Sequence, residues 1–414
     1  MQLAVQFFFQ IAIILTVCQL AGLAGKRLGQ PQVVAEMIAG VILGPSLLGF
    51  FFPALAKSLF PKESMQVLFP VSQLGLAAYM FVVGLEFRMD IVQKRLRSAV
   101  AVSIAGMVTP FALGAALAWY FFHHTHLFPE KTSLTEAVIF LGASMCITAF
   151  PMLARIIHFK KLSGTTMGTV ALGAGAIDDA AAWCLLACVL ASFDNNLSHA
   201  LVNIGGGIGY VSFTLLIIRP LLARWARGMN ARQTMSDREF VVCLILLALG
   251  AWFTDLIGLH AVFGAFVMGM AMPRGLVATT LIERIQPLTV ALLLPLFFTF
   301  SGLNTQIGLL NSGLLWAMAL LVMLAAVGGK GVACWLAARA TGLPNREALG
   351  IGTLMNARGL MELIIINIGL SRGIISQELF AILVIMAVVT TLMTSPIFDR
   401  LVGKITPEHH ESHS

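Results

Sequence analysis

Charge is what this sequence has least of. Asp, Glu, Lys and Arg make up 11% of its 414 residues, against about 25% in an ordinary soluble domain. Hydrophobic residues make up 58%, and mean hydropathy is +0.91. Such a chain cannot cover a water-facing surface, so it is expected to be a polytopic membrane protein without a soluble domain of any size. Metal-type cysteine spacing is also lacking. Cys18, Cys146, Cys184, Cys188, Cys243 and Cys334 all lie inside apolar runs, as small core residues do. The net charge of +7 does not point to nucleic acid, because the basic residues are scattered over short connections. No basic segment precedes the first apolar run, so the chain is expected to open on a helix rather than a cleaved signal.

What is present is a succession of long apolar runs. A crossing helix needs about 20 mostly apolar residues. On that criterion about thirteen are expected, near 3–23, 31–49, 67–87, 98–122, 133–157, 164–192, 199–223, 238–257, 260–278, 286–304, 312–338, 347–370 and 377–401. Numbering the connections in order, the odd ones and the C-terminal tail hold 20 Lys and Arg and the even ones hold 4. Basic residues concentrate on the cytoplasmic side. The N-terminus is therefore expected outside and the C-terminus in the cytoplasm of a bacterial inner membrane. Thirteen divides into six, one and six, which gives two halves of opposite topology, an inverted repeat. The fold class is thus an all-α polytopic membrane protein.

The informative residues are those an apolar run should not contain. Asp178 and Asp179, in Gly173-Ala-Gly-Ala-Ile-Asp-Asp-Ala-Ala-Ala-Trp183, fall midway along the run 164–192. One ionised side chain at that depth costs at least ~3 kcal/mol, so the pair marks an ion or proton pathway. In the fifth run Pro151 follows Thr148 and removes a backbone N–H, freeing polar groups near Ile147 and Thr148. The twelfth run, its counterpart in the second half, carries Asn356, Arg358, Gly359 and Glu362. Interrupted helices at matching positions of two repeats point to a midplane ion site. Their half-helix ends offer carbonyls to a cation and N-termini to a carboxylate. Arg358 and Glu362 also have the i,i+4 spacing of a structural pair. Lys330, in Val327-Gly-Gly-Lys-Gly331, would lose its proton if buried alone; an Asp of the acidic pair nearby would keep it charged, as a charge switch. Snorkelling to the helix end is the alternative for Lys330. Glu36 is expected near the membrane interface, and His409, His410 and His413 in a polar cytoplasmic tail, 405–414.

Four ordered segments now carry a resemblance. Thr148-Ala-Phe-Pro-Met-Leu-Ala-Arg155, Asp178-Asp-Ala-Ala-Ala-Trp183, Gly258-Leu-His-Ala-Val-Phe-Gly-Ala-Phe266 and Met355-Asn-Ala-Arg-Gly-Leu-Met-Glu362 resemble the monovalent cation:proton antiporter-2 family. They are close to its plant cation/H+ exchanger-like branch, and the match covers essentially the whole chain. The resemblance implies a sodium/proton antiporter-like fold with two crossed, discontinuous helices. It also implies a homodimer, with a dimerisation panel (1–90 and 237–304), a mobile core (96–192 and 311–403) and a linker helix (199–226). By the same analogy Asp179 carries the ion and the proton, Asp178 pairs with Lys330, and Thr148 lines the site. Plant-like exchangers often have Asn where this chain has Asp178, which leaves Na+ and K+ both open as cargo. Some potassium-efflux relatives add a nucleotide-binding domain; none is expected here.

The expected function is secondary antiport of Na+, K+ or Li+ against H+. A desolvated carboxylate holds a cation or a proton but not both, and alternating exposure of the site exchanges them. The expectation includes no enzymatic activity, no metal and no cofactor; the monovalent cation and the proton are cargo, and the bilayer is the solvent. Three rivals stand beside it. A cation channel needs an open polar path, whereas these polar residues cluster at one depth. An intramembrane aspartyl protease needs a second acid facing the first, and Asp255 lies too near a helix end. A sodium-coupled organic-solute symporter would show sodium dependence without proton exchange.

Overall fold

The computed structural model describes residues 3–27, 30–87, 89–194, 197–303, 310 and 312–403. Arg88 and the tail residues His409, His410 and His413 lie outside the described residues. Every regular element described is helical: α1 (Leu3–Arg27), α2 (Gln32–Leu43), α3 (Leu48–Phe51), α4 (Pro53–Leu59), α5 (Lys62–Glu86), α6 (Met89–His124), α7 (Leu134–Cys146), α8 (Phe150–Phe159), α9 (Thr166–Asp194) and α10 (Leu197–Phe213). There follow α11 (Arg219–Arg232), α12 (Asp237–Leu256), α13 (Ala261–Ala271), α14 (Leu276–Leu288), α15 (Leu294–Leu303), α16 (Gly313–Ala340), α17 (Asn345–Leu354), α18 (Leu360–Ser371) and α19 (Gln377–Val402).

Nine segments among the described residues are long and apolar enough to cross a membrane. Of the other expected runs, 164–192 is the 29-residue helix α9, and three hold shorter helices. Run 133–157 is α7 and α8 with a break between them, and run 347–370 is α17 and α18. Run 260–278 holds only the 11 residues of α13, because Pro273 cannot continue a helix and Gly275 takes a left-handed φ of +80°. Two π-helical turns, Thr214–Ile218 and Thr289–Leu293, join α10 to α11 and α14 to α15. Pro220 and Pro287 lie within two residues of them, where a missing N–H lets the hydrogen-bond register slip. Ser133 with Glu136 and Ser236 with Glu239 form capping boxes that start α7 and α12.

The chain divides into two compact units. The first comprises Met1–Ala24, Ala35–Arg88 and Ala180–Gly308. In it α5 packs on α13, α14 and α15, and α12 packs on α13. A Cβ at Gly84 would lie 2.9 Å from the Met270 backbone N, so only glycine lets α5 and α13 meet there. Arg274 donates to the carbonyls of Leu85 and Phe87 and ties the link after α13 to the end of α5. At α1, Gln10 donates to Leu59 O and Ser64 Oγ, each at 2.6 Å.

The second unit comprises Gly25–Val34, Met89–Asp179 and Leu309–Ser414. Here α6 lies against α7 and α16, while α16 also packs on α17 and α19. The two broken helices cross at their breaks: α8 contacts α17 and α18 contacts α7. At the crossing, Ala149 N donates to Ala357 O at 3.0 Å. Glu36 is 1% exposed in α2, in a stretch where Val34, Ala35, Met37 and Ala39 are also buried.

Candidate functional site

Each break is built from its own residues. α7 stops at Cys146 and α8 starts at Phe150, with Pro151 in the first turn of α8, a position where the missing N–H costs nothing. Ile147 and Ala149 in the link are extended, and Thr148 lies between them. In the second break, Asn356 Nδ2 donates back to Gly352 O at 3.0 Å. Thr391 on α19 pins the next residue but one: its Oγ1 accepts from Arg358 N at 3.0 Å and donates to Arg358 O at 2.9 Å.

The structure brings the predicted residues of the second unit together around α9. Asp178 is fully buried and its two oxygens are occupied. Oδ1 accepts from Ser103 Oγ of α6 at 2.6 Å, and Oδ2 accepts from Thr148 Oγ1 at 2.7 Å. Lys330 Nζ, from α16, lies 3.4 Å from the same Oδ2. Lys330 is 0% exposed, so it does not snorkel to the helix end; its ammonium also donates to Cys146 O. Asp179 is 5% exposed, and its Oδ1 is buried without a hydrogen-bond partner among the described residues. An unpaired buried carboxylate oxygen is costly to a fold.

Arg358, in the break, and Glu362, on the first turn of α18, form a buried ion pair at 3.2 Å. Arg358 also reaches Ser144 O at 3.4 Å and Met145 O at 2.7 Å. Three consecutive carbonyls at the end of α7 are thus held by the protein's own cations, Arg358 and Lys330. Half-helix carbonyls are expected from the sequence to face a cation; in the structure those of α7 are already taken. The reason is electrostatic. A buried C-terminus carries partial negative charge and orphan acceptors, and buried cations need acceptors. In and just after the second break, Asn356 Oδ1, Arg358 Nε and Glu362 Oε2 stay without a hydrogen-bond partner among the described residues.

Ser103 is the site residue that sequence reasoning missed. It is an unremarkable serine in the fourth apolar run, and only the packing of α6 against the α7–α16 side of the unit reveals it. His260 and Asp255 belong to the first unit. His260 caps the start of α13 and Asp255 is exposed in the last turn of α12.

A helical membrane fold with two broken helices crossed beside a buried acidic pair defines a class, the ion-coupled secondary transporters with inverted repeats. Comparisons with known proteins narrow the class. The family described as "Sodium/hydrogen exchanger, transmembrane" matches residues 12–402, and the chain belongs to that family. The Na+/H+ antiporter NhaS4 of Synechocystis is 40% identical over 399 residues, 96% of each chain. Cation/H+ antiporter 20 of Arabidopsis thaliana is 38% identical over 94% of this chain but only 47% of its own length, so the chain spans about half of that plant relative. Among solved structures, the sodium proton antiporter MjNhaP1 from Methanocaldococcus jannaschii at pH 8 superimposes with a TM-score of 0.67 at 14% identity. That likeness covers 97% of this chain and 98% of the other, and it bears on the fold.

Proposed function

We propose that this protein exchanges a monovalent cation, Na+ first, for protons across the bacterial inner membrane by alternating access. The observation that carries the reading is the contrast within the acidic pair. Asp178 is saturated by Ser103, Thr148 and Lys330, whereas Asp179 keeps a buried oxygen with no partner. Asp179 is then the exchanging group, holding a proton or a cation in turn. Asp178 and Lys330 form the charged scaffold beside it, with Thr148 positioning Asp178. Pro151, Asn356, Arg358 and Glu362 keep the two breaks open at this depth. Na+ as cargo is supported by the name of NhaS4, which matches over nearly its full length; K+ and Li+ are the competing cargoes.

The same reading assigns movement of the core (96–192 and 311–403) against the panel (1–90 and 237–304), with 199–226 as linker and the panel as the homodimer surface. The test is cation-induced dissipation of a proton gradient in proteoliposomes, with Na+, Li+ and K+ added separately. Wild type should respond to at least one cation and Asp179→Asn to none, at equal reconstitution and melting behaviour. Silence toward all three between about pH 6 and 9.5 would overturn antiport, and sodium-driven solute uptake without proton movement would establish symport instead.

A further inference from the structure

A second feature of the core unit meets this chemistry only at Asn356. Between α16, α17 and α19 runs a slot of about 250 Å³, lined by Val327, Gly328 and Trp335 on α16, by Thr353 on α17, and by Ile397 and Leu401 on α19. Its polar members turn their hydrogens onto their own helices. Thr353 Oγ1 donates to Leu349 O, Thr394 Oγ1 to Thr390 O, and Asn356 Nδ2 to Gly352 O. What they leave for an occupant is mainly hydrocarbon. Val332 and Leu401, at 51% and 50% exposure, flank the opening. On a membrane-spanning helix such exposed apolar side chains face lipid. Gly328 leaves room for more: a Cβ there would meet nothing within 4 Å.

The charge around one end of the slot identifies what enters it. α16 ends where α17 begins, joined by residues 341–344, and Arg346 Nε donates to Val402 O at the end of α19 at 2.8 Å. All three lining helices therefore share one end, and each carries an exposed arginine there: Arg339 and Arg346 about one turn beyond the slot, and Arg400 next to the lining Leu401. Arg339 lies four residues after Trp335 on the same face of α16. The acids at that end are Glu347 and Asp399, and Asp399 is held by Lys160 at 2.7 Å. Trp335 Nε1 donates to Asn345 Oδ1 at 2.9 Å, the amphipathic posture that tryptophan takes at a membrane–water boundary. An apolar slot below that boundary and a net positive ring above it match the two ends of one molecule.

We infer that this slot is a binding site for an anionic phospholipid, with an acyl chain between α16, α17 and α19 and the phosphate on Arg339, Arg346 and Arg400. Basic clusters at the ends of membrane helices recognise acidic headgroups in this way. The deep end of the slot is Asn356, in the second break, so a seated chain would brace the core unit next to its crossing point.

The experiment is native mass spectrometry of the detergent-purified full chain after equilibration with phosphatidylglycerol or phosphatidylcholine of identical acyl chains. Phosphatidylglycerol should be retained preferentially and should raise the melting temperature. Arg346→Gln and Arg400→Gln should each reduce that retention about fivefold, the fold equivalent of one basic side chain at an anionic surface. Gly328→Leu, which fills the slot, should reduce retention with all arginines present. Equal retention of the two lipids overturns the inference, as does Gly328→Leu with wild-type retention. A shift of Gly328→Leu in monomer–dimer balance, with lipid retention intact, would make the slot a contact between copies and sink the lipid assignment.

Discussion

At the scale of single residues, Lys330 decides the most. It is wholly enclosed, and its ammonium bridges Asp178 of α9 and the last carbonyl of α7. Removing one partner of a buried ion pair leaves the other charge uncompensated, a loss of roughly 3–5 kcal/mol, whereas removing both is far milder. Lys330→Ala should therefore lower the melting temperature of the purified protein markedly, and Lys330→Ala with Asp178→Asn should recover more than half of that loss. Strictly additive losses in a thermal-shift series would show that the two side chains are not coupled. Legibility divides along the same line. Asp178, Asp179, Lys330, Arg358 and Glu362 are visible in the sequence because charge is rare in an apolar run and conspicuous when it occurs. Ser103 is invisible because serine is cheap inside a helix, where its hydroxyl can bond to the preceding turn. Its donation to Asp178 is a fact of packing alone.

At the scale of elements, the breaks in α7–α8 and α17–α18 are written in different alphabets. Pro151 announces the first, since proline cannot propagate a helix. The second has no proline and shows itself only through Asn356, Arg358 and Gly359 in an otherwise apolar run. Element lengths were less legible. α6 begins at Met89, nine residues before its apolar run, because polar first turns stay helical once the remainder is anchored. The site depends on how closely α16 approaches α17, and that approach is set by glycine. A Cβ on Gly352 would stand 2.5 Å from Gly331 O and 3.2 Å from Trp335 Cβ. Gly352→Val should therefore collapse the yield of monodisperse protein in fluorescence-detected chromatography. Gly328→Ala, on α16 facing empty space, should behave as wild type or melt slightly higher, since alanine favours a helix over glycine by up to about 1 kcal/mol. Matching profiles for the two variants would refute the close-approach argument.

At the scale of the whole molecule, the few charges become a coordinate system. The connections that alternate along the chain hold 20 and 4 basic residues, and insertion retains Lys and Arg on the cytoplasmic side. The bias is spread over many connections, so no single substitution should reverse it. The exposed Lys131, before α7, lies in a sparse connection; the exposed Lys161, after α8, and Arg346, at the start of α17, lie in rich ones. In a background with the native cysteines replaced by alanine, Lys131→Cys should react in intact cells with a maleimide that cannot cross the membrane. Lys161→Cys and Arg346→Cys should react only after permeabilisation. The opposite pattern would place the N-terminus in the cytoplasm. It would also turn the arginine-ringed slot toward the outer leaflet, so this labelling fixes which lipid leaflet the second site faces.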